Sequence, residues 1–368
     1  MKTIDLEQRR DAFMDRMLRS TRGTFEIFTI YVGHMLGYYT ALAGSAGLTV
    51  AELAERTGTH DRYVREWLEQ QTSVGILAVA EDKAGDGLPR FRLPRAHAEV
   101  LADPESLNYL APLAQIVVGA AHPIGRVLDA YRQGTGVPYG DYGADLREGQ
   151  ANLNKAMFLK SLGTDWLPAI PDLHTRLQAE PPARIADFGC GLGWSSIGLA
   201  QTYPRVAVDG FDLDRPSVEA ARNNAREAGV ADRVRFYVRD ASHAALKGRY
   251  DLVTAFECLH DMADPVGALR TMLGLVGEAG SVLVMDERVA EAFAPHGNEV
   301  EQIFYGFSVL HCLPVGLSEQ PSAGTGTVMR PDTLKHYAAQ AGFCEVEILP
   351  IDNYFFRFYR LWPLCLAA

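Results

Sequence analysis

The sequence predicts an α/β protein. A largely parallel sheet with crossover helices is closed by a C-terminal antiparallel hairpin and preceded by a mainly helical, winged-helix-like domain. Three observations predict it. First, the apolar run Ile185, Ala186 and Phe188 meets alternating glycines at 189, 191 and 193 and then an apolar helical segment from Ile197 to Ala200, which reads as strand, glycine turn and helix start. Second, from Arg184 onward short apolar runs alternate with helical stretches, the pattern of a parallel sheet. Third, two short helical patterns joined by a turn at 57–59 are followed by two strand-like segments, as in a winged helix.

At 368 residues the chain is long enough for two domains, and 48% hydrophobic with 22% charged residues is an ordinary globular balance. The formal charge of −11 argues against broad nucleic-acid binding, which needs clustered Lys and Arg. The five cysteines, Cys190, Cys258, Cys312, Cys344 and Cys365, lack a Cys-x-x-Cys pair. They read as reduced thiols of a cytoplasmic protein rather than a disulfide framework or zinc site. The charged N-terminus has no signal-peptide core. Residues 28–50 carry no charged side chain and approach the length of a membrane span. Their glycines, Ser45 and His34 make them a poor lipid-facing helix, so a buried or subunit-interface helix is expected.

In order, the spacing predicts an amphipathic helix over 5–19, an apolar helix over 25–42, and the helix-turn-helix from Leu48 to about Gln71. Strands at 74–79 and 90–93 flank a charged tip at 82–88. An apolar stretch at 107–121 and a helical segment at 127–131 follow. The aromatic, glycine-rich loop 134–143 precedes a helix around 152–162. Strands are expected at 184–188, 206–212, 234–238, 250–256 and 281–286, with helices at 194–202, 216–228, 265–276 and 331–341. Two strands at 344–349 and 354–361 form the closing hairpin. The expected division is a winged-helix-like dimerisation domain over 1–105, a helical linker or substrate lid over 106–180, and a ligand-binding domain over 181–368.

Helix 61–71 would be the recognition helix of a DNA-binding module. It carries Arg62 and Arg65 against Asp61, Glu66 and Glu69. A net acidic helix is repelled by phosphate, so dimerisation is the expected role and nucleic acid is not an expected partner.

The spacing Asp187-x-Gly189-x-Gly191-x-Gly193 differs from the nicotinamide fingerprint G-x-G-x-x-G. Glycines permit close backbone approach, and the free N–H groups of a helix start attract an anionic group. Asp212 lies at the tip of the second strand, where a carboxylate can accept ribose hydroxyls. Asp214 reads as a helix cap. Asp240 and Ala241 end the third strand, and the fourth runs through Phe256 and Glu257 to His260 and Asp261. In an open α/β sheet these carboxyl ends converge on one crevice.

This motif series resembles class I S-adenosylmethionine-dependent methyltransferases over about 180–365. With the N-terminal module and the His260-Asp261 pair it further resembles dimeric small-molecule O-methyltransferases. The resemblance implies a Rossmann-like sheet and S-adenosylmethionine as co-substrate. It implies a cofactor site of Asp187, Gly189, Gly191, Gly193, Asp212, Leu213, Asp240, Ala241 and Phe256, with the glycines against the methionine portion, Asp212 on the ribose, and Asp240 with Ala241 facing the adenine. It also implies a homodimer formed through the N-terminal domain.

The methyl acceptor would be a small molecule, most readily a hydroxyl deprotonated by His260. Asp286 or Glu287, from the neighbouring strand, is favoured over Asp261 to orient that imidazole. Met262 stands where plant-type relatives carry Trp, which leaves the substrate class open. Candidate wall residues are Tyr139, Tyr142, Met262, Phe304, Phe307 and His311, with Tyr305, Cys312 and Met329 nearby. His311-Cys312 lacks companion ligands at metal spacing, so no metal is expected. Transfer to nitrogen or carbon remains open, as does a transcriptional regulator whose C-terminal half senses a ligand.

Overall fold

The computed structural model describes residues 2–80, 87–242 and 249–364. Most of the expected tip at 82–88, and Cys365, lie outside these. The chain forms two compact units that divide between Val118 and Gly119. The expected lid segment 106–180 is therefore split, its first residues belonging to the N-terminal unit.

In the N-terminal unit, helix α1 runs unbroken over Lys2–Met35, where two helices were expected. Gly23 is the single glycine between them and is tolerated in mid-helix; the chain turns instead at Gly37, whose φ of 70° is left-handed. Helix α2 (Tyr38–Leu42) follows, then α3 (Val50–Thr57). A capping box starts α3: Glu52 N donates to Thr49 Oγ1 at 3.2 Å, and Thr49 N donates to Glu52 Oε2 at 2.8 Å. Helix α4 (Asp61–Ser73) buries Trp67, whose ring meets Tyr38 and Tyr39 edge-on at 4.7 and 5.3 Å. Strands β1 (Ala78–Ala80) and β2 (Arg90–Arg92) pair antiparallel as the wing. Helix α5 (Arg95–Ala102), which the sequence reading missed, and α6 (Ala111–Ala121) follow. Among the described residues no helix is long and apolar enough to cross a membrane.

The second unit opens with α7 (Ile124–Gln133), a 3₁₀ turn at Tyr139–Tyr142, α8 (Gly143–Leu159) and α9 (Pro171–Gln178). Strand β3 (Arg184–Phe188) leads to α10 (Trp194–Thr202), β4 (Ala207–Asp212) and α11 (Arg215–Glu227). Next come β5 (Val234–Val238), β6 (Tyr250–Phe256), α12 (Pro265–Leu275) and β7 (Val276–Glu287). Helices α13 (Glu299–Phe307), α14 (Leu313–Gly316) and α15 (Pro331–Ala341) precede the hairpin β8 (Glu345–Ile348) and β9 (Phe356–Trp362).

The seven-stranded sheet has the order β5-β4-β3-β6-β7-β9-β8. β3 to β7 pair in parallel and β9 runs antiparallel to both β7 and β8. Its strands read as near-continuous apolar runs because both faces are covered. Ile185, Val208 and Leu252 pack on one face, and Ala186, Val253 and Val284 on the other. The order reverses at β3, between β4 and β6, which places a binding crevice at that edge.

Cys190, Cys258 and Cys312 are free thiols. Cys344 is disulfide-bonded, which corrects the expectation that all cysteines are reduced.

Candidate active site

The three turn glycines all take left-handed backbone, with φ of 64°, 50° and 84° at Gly189, Gly191 and Gly193. A Cβ on Gly189 would lie 2.6 Å from Cys258, and one on Gly193 would lie 2.6 Å from the Phe236 ring. At Gly191 a Cβ would meet nothing within 4 Å. Gly191 lines a cavity of about 480 Å³ together with Gly189, Asp212, Asp240 and Ala241. Gly193 is not a wall residue but the residue that starts α10, packed on Phe236 and Ala221.

Asp187 also departs from its expected role. Its side chain turns inward, 1% exposed, and accepts hydrogen bonds from Ser195 and Ser196 Oγ at 2.6 Å each and from Thr254 Oγ1 at 2.7 Å. It ties the start of α10 to β3 and β6. Burial raises its pKa, with the three hydroxyls opposing.

Asp212 closes the turn by accepting from Gly191 N and Asp214 N, both at 2.8 Å. Burial pushes its pKa up to about 6 against those two hydrogen bonds. Asp214 caps α11 by accepting from Ser217 N at 2.9 Å. It also binds Arg147 of α8 in two-pronged fashion, at 2.6 and 3.2 Å. Asp240 accepts from Ser242 N and Oγ at 2.8 and 2.7 Å. Leu213, 58% exposed, and Phe256, stacked on Phe158 at 5.8 Å, complete the expected cofactor side of the wall.

His260 is 2% exposed and is not among the residues that line the cavity. Its Nδ1 lies 2.8 Å from Asp286 Oδ1 and 3.0 Å from Glu287 Oε2; its Nε2 lies 3.2 Å from Asp261 Oδ1. Burial disfavours the imidazolium, yet Glu287, Asp286 and Asp261 outweigh it and hold the pKa well above 6.5. Burial in turn pushes Glu287 toward its neutral acid.

The ligating atoms of His260, Asp286 and Glu287, and of His260, Asp261 and Cys312, are each close enough to surround a cation. Within them His260 Nδ1 hydrogen-bonds Asp286 and the ring pairs with Glu287 and Asp261.

Of the expected acceptor-side residues, Tyr139 and Met262 line the cavity and four do not. Tyr142 is buried and donates to Leu310 O at 2.9 Å. Phe304 packs with Val289 and Val300, and Phe307 lies off the wall. His311 meets the Tyr142 ring edge-on at 4.5 Å, and burial pushes its pKa down to about 4. Tyr142, Phe304 and His311 are buried off the wall and Phe307 is half-buried, while Val315 of the same stretch lines the cavity.

Sequence reasoning missed Arg147, Asn154 and Glu257 as wall residues. Glu257 directly follows β6 with φ of 53°, uncommon for a non-glycine residue. It is half-buried, its Oε2 accepts from Asn154 Nδ2, and burial pushes its pKa up to about 7. Its place at a strand's carboxyl end was the one available signal.

Residues 180–314 match the model of a methyltransferase domain, and residues 26–103 that of an Rv2258c-like winged HTH domain. The ribosomal protein L11 methyltransferase of Klebsiella pneumoniae is 32% identical over 114 residues, 30% of this chain and 38% of that protein. The chain thus spans well under half the length of this relative. The solved mitomycin 7-O-methyltransferase shares the fold at a TM-score of 0.68 and 20% identity, covering 96% of this chain and 98% of its own. Human N-acetylserotonin methyltransferase, solved with S-adenosylmethionine, does so at 0.70 and 18%, covering 95% and 97%. By these matches the chain carries a methyltransferase domain over 180–314, preceded by a winged HTH domain over 26–103.

Proposed function

We propose that the chain transfers the sulfonium methyl group of S-adenosylmethionine to a hydroxyl oxygen of a small molecule. One observation carries the reading. A single cavity joins the glycine turn, Asp212 and Asp240 to a second wall of Tyr139, Asn154, Glu257 and Met262, so donor and acceptor can share it. Its volume suits small ligands. A sulfonium methyl is already activated, so in-line positioning supplies most of the rate. The mitomycin enzyme of like fold is named for methylation at oxygen, which favours oxygen over nitrogen or carbon here.

The test is calorimetric titration with S-adenosylhomocysteine, followed by transfer of labelled methyl to catechol, caffeic acid and 4-nitrophenol. Absence of binding removes the reading. Binding with label found on nitrogen or carbon of other acceptors, and none on oxygen, removes its second half.

We also propose that the N-terminal unit pairs two copies. Helix α1 exposes Leu6, Phe13, Met14, Met17, Leu18 and Phe25, an apolar row that a second copy would bury. Light scattering should give twice the chain mass, and a Phe13→Glu, Met17→Glu variant should give a monomer. The winged HTH match also favours testing a DNA-binding role. Arg62 of α4 pairs with Glu66 at 2.6 Å, so no gel shift is expected at low salt. The free thiols fit a cytoplasmic location, and the disulfide at Cys344 points the other way.

A further inference from the structure

We infer, on the reading of the chain as a methyltransferase acting at oxygen, that its acceptor carries an ammonium group as well as a hydroxyl, and that Glu257 selects this class.

The cavity wall is lopsided in charge. Among the described residues its cations are Arg147 and Arg239, with no lysine or histidine. Arg147 is engaged by Asp214, at 2.6 and 3.2 Å. Arg239 directly precedes Asp240, on the side expected to hold the adenine, and its Nη1 donates to Val238 O at 3.0 Å. An acceptor carboxylate would therefore find no uncommitted cation and would face like charge.

Most of the wall's acids are committed too. Asp261 pairs with His260 Nε2 at 3.2 Å, and Asp264 caps α12 by accepting from Gly267 N at 2.7 Å. Asp212 and Asp240 close turns on the donor side, and Glu319 is exposed to water. Glu257 differs. It is half-buried, Asn154 Nδ2 of α8 occupies its Oε2, and among the described residues no donor pairs with Oε1.

The position of this carboxylate is fixed from both sides. Its own N–H donates to Met285 O at 2.8 Å, and Phe256 before it stacks on Phe158 at 5.8 Å. Cys258 after it donates Sγ to Phe188 O at 3.3 Å and packs against Gly189. Glu257 thus abuts the turn expected to hold the methyl donor. Burial raises its pKa to about 7 against the Asn154 hydrogen bond and His260, while Asp286 and Asp261 add to the rise. An ammonium at Oε1 supplies the missing positive charge: it stabilises the carboxylate and is itself held by a charge-assisted hydrogen bond.

The test uses the full chain and three catechols that differ in the charge of a short arm: dopamine, 3,4-dihydroxyphenylethanol and 3,4-dihydroxyphenylacetate. Each is titrated calorimetrically into protein saturated with S-adenosylhomocysteine, and each is assayed for methyl transfer. Dopamine, protonated at neutral pH, should bind about 10–100-fold more tightly than the alcohol, and the acid more weakly than the alcohol. In Glu257→Gln, which keeps an oxygen for Asn154, the amine-to-alcohol ratio should fall to about one, through KM more than kcat. Glu257→Asp keeps the charge and should retain part of the ratio. S-adenosylhomocysteine carries the donor's own ammonium, and its affinity should change less than about twofold in Glu257→Gln.

A wild type that binds S-adenosylhomocysteine yet takes the alcohol or acid as well as the amine, or binds none of the three, overturns the inference and leaves the methyltransferase reading standing. Amine preference that survives in Glu257→Gln removes Glu257 as its selector. A loss of S-adenosylhomocysteine affinity of about tenfold or more in that variant overturns the inference too, since Glu257 then holds the donor's ammonium. Methyl label on the nitrogen of dopamine removes the oxygen reading, and absence of S-adenosylhomocysteine binding removes the methyltransferase reading; the inference falls with either.

Discussion

Replacing each turn glycine by alanine separates a binding surface from a packing device. All three positions carry left-handed φ, so each Ala costs about 1–2 kcal/mol in backbone strain alone. At Gly191 nothing further is lost, because the added Cβ meets nothing within 4 Å. At Gly193 it would come within 2.6 Å of Phe236 Cζ and 3.0 Å of Ala221 Cβ, both buried in the core. Overpacking of this kind adds about 1–3 kcal/mol, for a total of about 2–5 kcal/mol. At about 2–4 °C per kcal/mol for a unit of this size, Gly191→Ala should lower Tm by about 2–8 °C. Gly193→Ala should lower it by clearly more. Gly189→Ala falls with Gly193→Ala, since Cys258 must move and its thiol contact to Phe188 O at 3.3 Å is disturbed. Binding should rank the other way. The Gly191→Ala methyl sits on the cavity wall, and S-adenosylhomocysteine affinity should fall about tenfold or more, ~1.4 kcal/mol at least. Differential scanning fluorimetry with and without the ligand, plus calorimetry, reads both quantities. A folded Gly191→Ala protein with wild-type affinity would refute the assignment of this turn to the donor, and equal Tm losses at all three sites would refute the packing argument.

Two further outcomes follow from buried carboxylates. Asp187→Ala leaves the hydroxyls of Ser195, Ser196 and Thr254 buried without their acceptor, at about 1–3 kcal/mol for each that stays unpaired. Asp187→Asn keeps an oxygen for the serines and should cost far less, so urea denaturation of the two variants should separate them widely, and equal stability would sink the bracing role. Asp212 is expected to bind ribose hydroxyls as a carboxylate, and its unliganded pKa is about 6. Affinity for S-adenosylhomocysteine should therefore be flat above that pH and fall about tenfold per unit below it, with the slope absent in Asp212→Asn. In the free protein the sign is opposite for stability: a carboxyl raised from 3.8 to about 6 contributes stability that is present at low pH and lost as pH rises through about 6. An affinity profile that stays flat down to pH 5 would remove Asp212 from the donor site.

The glycine-turn side of the cavity was legible because it is local. Asp187 to Gly193, Asp212 and Asp240 follow one another at successive strand ends, and their spacing alone brings Gly191 N to Asp212 Oδ2 across the β3–β4 pair. Strand and helix positions from 184 to 341 were legible for the same reason, since period and capping residues act over a few positions. Even there, the direction of a side chain was not. Asp187 sits on β3 with its carboxylate turned toward Ser195 and Thr254, and which face it takes depends on β6 lying beside β3. Helix α1 misled because charge pattern shifts along it while nothing in the backbone stops it before Gly37.

What the sequence determined by itself is the α/β order and the glycine turn with its acids, on which the proposed co-substrate rests. These depend on backbone conformations and short spacings that residue types dictate directly. The tertiary structure alone decided the other half. Asn154 and Glu257 meet across 103 residues, Arg147 reaches Asp214 from α8, and β7 delivers Asp286 and Glu287 to His260 Nδ1. Those partnerships are settled by competition between burial, charge and hydrogen bonding once the elements pack.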